Sequence, residues 1–336
     1  QTLSTSQTGG IYLPSSGTLK VLVVFARIKD DNSYHNYWPA GSPPPDYQSY
    51  IDSTTSEGST NYLNLTNYFN QMSMGTFHVI GKAIYVETPH DKSYYGSDYY
   101  KANKEILQQE VDPLINFSEY DNWTYNSGYN FTNEPDGSVD MIVVVWRGLI
   151  FSTGWGGKNW LGGSSAYTVE GGTETIKTSV GLGSGSGVTI QSNSDKWPEY
   201  VFHSMVHEIA HWLIGSVHPY YIGTAEHGFW GMLRHSHDGV CANAYEREKL
   251  GWITPINITG EISDASLGDF ITTGDAYKYH PSNGATNEYY YFENHQKLSI
   301  YDDATENAND KGIFVLQQQD GYNSTNNIKC RTSSGD

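Results

Sequence analysis

Two histidines and a glutamate fall within one short run, His207-Glu208-Ile209-Ala210-His211, of the form His-Glu-x-x-His. On a helix, four residues make a little over one turn. Both imidazoles then leave the same face at a separation that one divalent metal spans, with Glu208 beside them. Neutral imidazole nitrogens are zinc donors, and hydrolytic zinc sites take three protein ligands and keep a fourth position for water. In such a site Glu208 is the expected general base: it takes a proton from metal-activated water as the water attacks a carbonyl, and passes one to the leaving amine. Zn2+ is thus the expected cofactor, His207 and His211 two of its ligands, and Glu208 the catalytic residue. A buried helix face does not normally carry three such groups without partners, because each unpartnered one costs about 1–3 kcal/mol.

The third ligand has two sources in the sequence. Gly215 lets the backbone turn sharply after the second histidine, so that His218 returns to the metal; Glu226, His227, His235 and His237 form the other group. His203 lies one turn before His207 on the same face and is read as a polar neighbour. A fourth position along the rod points away from a tetrahedral site that the next two already hold. Tyr245, His235 and His237 are candidates for stabilising an oxyanion.

The helix that positions these groups is predicted from its neighbourhood. Pro198 suits a first turn, where its missing N–H costs nothing, and Glu199 complements the positive end of the dipole. Phe202, Met205, Val206, Ile209, Leu213 and Ile214 recur at spacings of three and four, an apolar stripe that ends at Gly215. The predicted helix spans 198–214.

Around it, Leu19 to Phe25 and Met141 to Trp146 read as central strands, since continuous β-branched runs need both faces covered. Helices are predicted over 60–72 and 99–111, and over 242–250 with Asn243 as cap; a strand pair is predicted over 77–86. A glycine-rich region, 154–187, leads to a predicted edge strand at Val188 to Gln191, where an extended peptide could add by strand pairing. From about residue 254 the signals are short alternating strands: 270–273, 276–279, 288–293 and 313–316. The expected organisation is a tail over 1–18, a mixed α/β catalytic domain over 19–254 and a β-rich accessory domain over 255–336.

The run from His207 to His218, then Gly228-Phe229-Trp230-Gly231-Met232-Leu233, then Asn243-Ala244-Tyr245-Glu246-Arg247-Glu248-Lys249-Leu250-Gly251-Trp252-Ile253, resembles secreted metallopeptidases of the immune inhibitor A type. That resemblance implies a metzincin-like zinc metallopeptidase domain, with His207, His211 and His218 as ligands, Glu208 as base and Met232 in a methionine turn beneath the metal. Gly215 comes four residues after His211, one more than the usual metzincin spacing, and relatives commonly carry an aspartate where this chain offers His218. Weaker similarity runs from about residue 18 to 320.

Composition fits an extracellular enzyme: charged residues are 17% of the chain, below the roughly 25% of ordinary domains, while the 35 Gly and 27 Tyr favour loops and exposed strands. A net charge of −18 argues against nucleic acid, which needs clustered Lys and Arg. The apolar runs are only a few residues long, so no membrane insertion is expected, and a chain starting at Gln1 fits a mature form whose leader has been removed. Ca2+ is a further candidate cofactor, although Asp302, Asp303, Glu306, Asn309 and Asp310 lack EF-hand spacing and read as a solvated acidic loop. A Cys241–Cys330 disulfide, if formed, would contribute roughly 4–5 kcal/mol in the chain-entropy model. Six Asn-x-Ser/Thr sequons, at Asn64, Asn116, Asn122, Asn130, Asn257 and Asn323, leave glycosylation open.

The expected function is a secreted zinc endopeptidase acting on proteins or peptides. The rival from a different class is an extracellular binding or structural protein that keeps the fold without turnover; the retained Glu208 argues against it, because a structural zinc site needs no base.

Overall fold

Apolar runs with branched side chains on both faces must be covered on both sides, and the structure does this with a parallel sheet between two helical layers. The computed structural model describes residues 8–55, 60–148, 156–163, 165–178, 185–192, 198–215, 231–233, 240–282, 288–302 and 311–318, and the backbone of 328–331. In chain order the first elements are β1 (Gly17–Arg27), α1 (Leu65–Met72), β2 (Phe77–Glu87), α2 (Tyr99–Glu105), β3 (Ile142–Trp146), β4 (Gly157–Lys158), β5 (Gly187–Gln191) and α3 (Glu199–Ile214). The sheet order is β2-β1-β3-β5-β4. The first four strands are parallel, and β4 runs antiparallel at the edge.

Alternate residues divide the core. Val21, Val23, Phe25, Val143, Val145, Val188 and Ile190 face α1 and α3. Leu22, Val24, Ala26, Ile142, Val144 and Trp146 face the layer that contains Ala102, Ile106 and Leu107. This period of two is what makes each strand read as unbroken apolar sequence.

The chain continues through α4 (Ala244–Lys249), β6 (Ile256–Ile258), α5 (Phe270–Thr273), β7 (Ala276–Tyr279), β8 (Tyr289–His295), β9 (Gly312–Gln318) and β10 (Ile328–Arg331). These strands form a second sheet in chain order, parallel only between β6 and β7. Tyr291, Leu316, Phe270 and Tyr301 share one apolar cluster with the buried face of α3. The described residues are thus a mixed α/β fold with several sheets, and none of its helices is long and apolar enough to cross a membrane.

Five local expectations are corrected. Phe77 to Glu87 is one strand, in unbroken parallel register with β1, and not a strand pair. The first helix starts at Leu65 because the Asn64 side chain accepts from Asn67 N–H and sets the start there. Asn64 is buried and donates to the Ser49 carbonyl, so this sequon is committed to the fold. Phe270 to Thr273 is a helical turn, capped by Asp269 and ended by Gly274 in the left-handed region, in place of a strand. Val188 to Gln191 is fully buried inside the sheet, because β4 covers the side that would otherwise be an edge. The predicted 99–111 helix is α-helical only to Glu105 and continues as a wider turn over Ile106–Val111. Cys241 is buried, and the Cys330 side chain lies outside the described residues.

The second sheet holds a buried ion cluster. His295 sits between two carboxylates, Nδ1 2.6 Å from Asp302 Oδ1 and Nε2 3.0 Å from Glu293 Oε2, with all three side chains fully buried. Carboxylate oxygens at both ring nitrogens call for the imidazolium form. Burial alone would push its pKa down; the hydrogen bonds and charges of Asp302 and Glu293 override that and hold it up at about 9. Asp302 is therefore no part of a solvated loop, and the neighbouring residues 303–310 lie outside the described residues. Glu293 Oε1 also accepts the Ala244 N–H at 2.6 Å, tying the sheet to the start of α4.

A histidine with a raised folded pKa contributes stability that is fully present below its unfolded pKa and is lost as pH rises through the folded value. Unfolding free energy is thus predicted to fall by on the order of 3 kcal/mol as pH rises from about 6.5 through 9, measured by urea titration. His295→Gln should lose about 3–5 kcal/mol at neutral pH, from the unpaired buried carboxylates, and should flatten that alkaline decline.

Candidate active site

A helix buried on all sides can present polar groups only where other elements supply partners, and α3 is buried from Val201 to Ile214. It is covered by the sheet on one side and by the 231–233 segment on another. His207 Nδ1 lies 3.0 Å from the Met232 carbonyl oxygen, and His211 Nδ1 lies 2.9 Å from that of Gly215. A carbonyl oxygen only accepts, so each Nδ1 carries the proton and each Nε2 carries the acceptor lone pair. The rings are 4.7 Å apart between centroids and perpendicular. Burial pulls the His211 pKa down, against the opposing Gly215 hydrogen bond, and so favours the neutral ring.

Gly215 makes its part possible through its backbone. It ends α3 at φ 127°, a conformation that side-chain-bearing residues rarely adopt, and this turn brings its carbonyl back to the His211 ring.

Met232 is held from the other side. Glu246, fully buried on α4, accepts Met232 N–H at 2.8 Å, Leu233 N–H at 3.1 Å and Asn243 N–H at 3.2 Å. Asn243 returns a bond to Glu246 N–H, closing the capping box of the short helix. One carboxylate therefore fixes both the start of α4 and the turn whose carbonyl orients His207. The sequence marks Asn243 as a cap, but nothing local announces that Glu246 also reaches 14 residues back to Met232.

Glu208, between the two histidines in sequence, is buried, and its pKa is pushed up to about 8 by loss of hydration, with the Lys158 charge pulling the other way. Lys158 belongs to edge strand β4, and its ammonium sits 5.4 Å from the Trp160 ring centroid. Tyr200, two turns earlier on α3, is pushed up by burial and by the Glu208 charge. His203 is bonded through Nε2 to the Tyr62 hydroxyl at 2.7 Å, a partner 141 residues away that sequence reading did not find.

The His207 and His211 rings are thus brought together, and Glu208 is buried on the same helix. His218 lies outside the described residues, as do Glu226, His227, His235 and His237. Tyr245 is buried with its ring against Tyr291. Among the described residues no trio of His, Cys, Asp or Glu is grouped so as to hold a metal ion. The donor chemistry of the two rings nevertheless fits one: each is fixed by a backbone carbonyl at Nδ1, which leaves Nε2 as the ligand atom.

The sequence pattern of the family described as "Immune inhibitor A peptidase M6, catalytic domain" matches residues 19–180. Over those residues the chain is similar to immune inhibitor A-type metallopeptidases, a family of peptidases. The match covers β1 to the strands before β5 and stops short of α3, so the family assignment and the His-Glu-x-x-His helix are separate observations. It falls on the part of the chain where motif reading finds only weak similarity. No curated protein matches the chain.

Replacing Glu246 by Gln removes the charge that three backbone N–H groups share and turns an amide donor toward one of them. Such a change is predicted to cost at least about 3 kcal/mol in urea unfolding, with faster hydrogen exchange at Met232 and Leu233.

Proposed function

We propose that the protein is a secreted zinc endopeptidase, metzincin-like in its catalytic region, in which His207, His211 and His218 hold the metal and Glu208 is the general base. The observation that carries this reading is the pair of Nδ1 hydrogen bonds that fixes both rings in the tautomer a metal needs, beside a buried carboxyl. The family match supports it independently, because it indicates a metallopeptidase. A zinc ion, when bound, supplies Lewis acidity toward a peptide carbonyl and acidifies water at the site.

The chain's own residues do the rest. His207 and His211 offer Nε2 as ligand atoms while Met232 and Gly215 keep the rings from turning. The Glu208 carboxylate accepts a proton from the attacking water and delivers it to the departing amide nitrogen. A carboxyl brought by burial close to the working pH can both take and return that proton. Tyr200, whose phenol feels the Glu208 charge, lies on the same stretch of α3. Strand β4 offers its outer edge for backbone pairing with an extended peptide, the part first assigned to Val188 to Gln191. The low charged fraction and the many Gly and Tyr support an extracellular location. The sheet of β6 to β10 is read as a β-rich accessory region that braces α4 through Glu293.

Digestion of an unstructured protein, with and without a chelator, tests the reading directly. Chelation should abolish cleavage and added zinc should restore it. Glu208→Gln should bind zinc as the parent does and lose about 10²–10⁴-fold in kcat. Parental turnover in Glu208→Gln refutes the assignment of the base.

A further inference from the structure

The edge strand that flanks the candidate site passes unusually close to Glu208. Gly157 has no side chain, and a methyl group there would stand 2.7 Å from Glu208 Cγ and 2.8 Å from Cδ, and closer still to Oε1. Carbon atoms in ordinary contact are about 3.5–4.0 Å apart, so one partner must give way if position 157 carries a side chain.

Three of the four groups that could yield are fixed. The strand is tied down on both sides: Gln191 N–H donates to the Gly156 carbonyl at 3.1 Å, the Trp212 indole to that of Asn159 at 3.2 Å, Thr189 Oγ1 to that of Trp160 at 3.0 Å and Asn103 Nδ2 to that of Leu161 at 2.7 Å. The α3 backbone is buried along its length. Strand β5, which backs β4, is wholly inside the sheet. What remains free to move is the Glu208 side chain.

We propose that Gly157 is a positioning residue for Glu208: the bare edge strand forms the wall against which the carboxyl group is seated, and this wall sets where the proton is taken up. The proposal rests on Glu208 acting as the base. It also joins the proposed peptide-pairing strand to the proton-transfer group, since β4 passes against Glu208 and is the terminal strand of its sheet among the described residues.

Gly157→Ala separates this role from a merely structural one. A methyl group at 157 rotates the carboxyl away from its seat. Because misplacement by about 1 Å is enough to cost a hundredfold, kcat should fall about 100-fold, with KM within about twofold and zinc content unchanged. In a Glu208→Gln background the same change should alter the residual turnover less than about threefold, since the group it displaces no longer acts. If Gly157→Ala does not fold, Gly157→Ala/Glu208→Ala should fold, because the colliding side chain is gone. Parental kcat in Gly157→Ala, an equal loss in the Glu208→Gln background, or no recovery of folding in the double variant each overturns the proposal alone. Full turnover in Glu208→Gln by itself overturns the base assignment, and the proposal with it.

Discussion

Two hydrogen bonds from imidazole Nδ1 atoms to backbone carbonyls are the constraint on which the site depends. An unrestrained histidine rotates and exchanges its proton between nitrogens; His207 and His211 do neither while the Met232 and Gly215 carbonyls accept from them. Each carbonyl is fixed in turn by something else. Gly215 is placed by the end of α3 itself, through its own N–H bond to the His211 carbonyl at 2.8 Å. Met232 is placed by Glu246, Glu246 by the start of α4, and α4 by Glu293 and the His295 cluster in the second sheet. Orientation of one ring is thus secured through a sequence of buried carboxylates that ends far along the chain.

These carboxylates are tolerable in the core because backbone N–H groups and an imidazolium accept the burden of their charge. An isolated buried carboxylate is strongly disfavoured, and Glu246 and Glu293 avoid that by accepting N–H groups from the Met232–Leu233 turn and from the start of α4. Glu208 differs. Burial pushes its pKa up to about 8, against the pull of the Lys158 charge.

Much of the framework is legible from periodicity alone. The apolar runs at Val21 and Met141 report inner strands, and the three-and-four spacing from Phe202 to Ile214 reports α3, because those patterns are set by burial geometry. The capping role of Asn243 is legible for a local reason, its spacing to Glu246. Other features are carried by no local pattern. β4 is two residues long, too short for alternation to register, and its presence is what turns Val188 to Gln191 from an edge into an inner strand. The Phe270 to Thr273 run is rich in strand formers, yet Asp269 and Gly274 at its ends make it a helical turn. The Tyr62–His203 bond and the reach of Glu246 to Met232 join residues distant in sequence, and only the fold brings them together.

The central claim is that His207 and His211 share one zinc ion through Nε2, and anomalous diffraction on crystals of the protein, collected on either side of the zinc absorption edge, tests it most directly. The account predicts a single strong zinc peak about 2.0–2.1 Å from both Nε2 atoms, with the Nδ1 bonds to Met232 and Gly215 intact. A zinc-saturated crystal with no peak between these rings, or with either ring turned so that Nδ1 no longer meets its carbonyl, would contradict it.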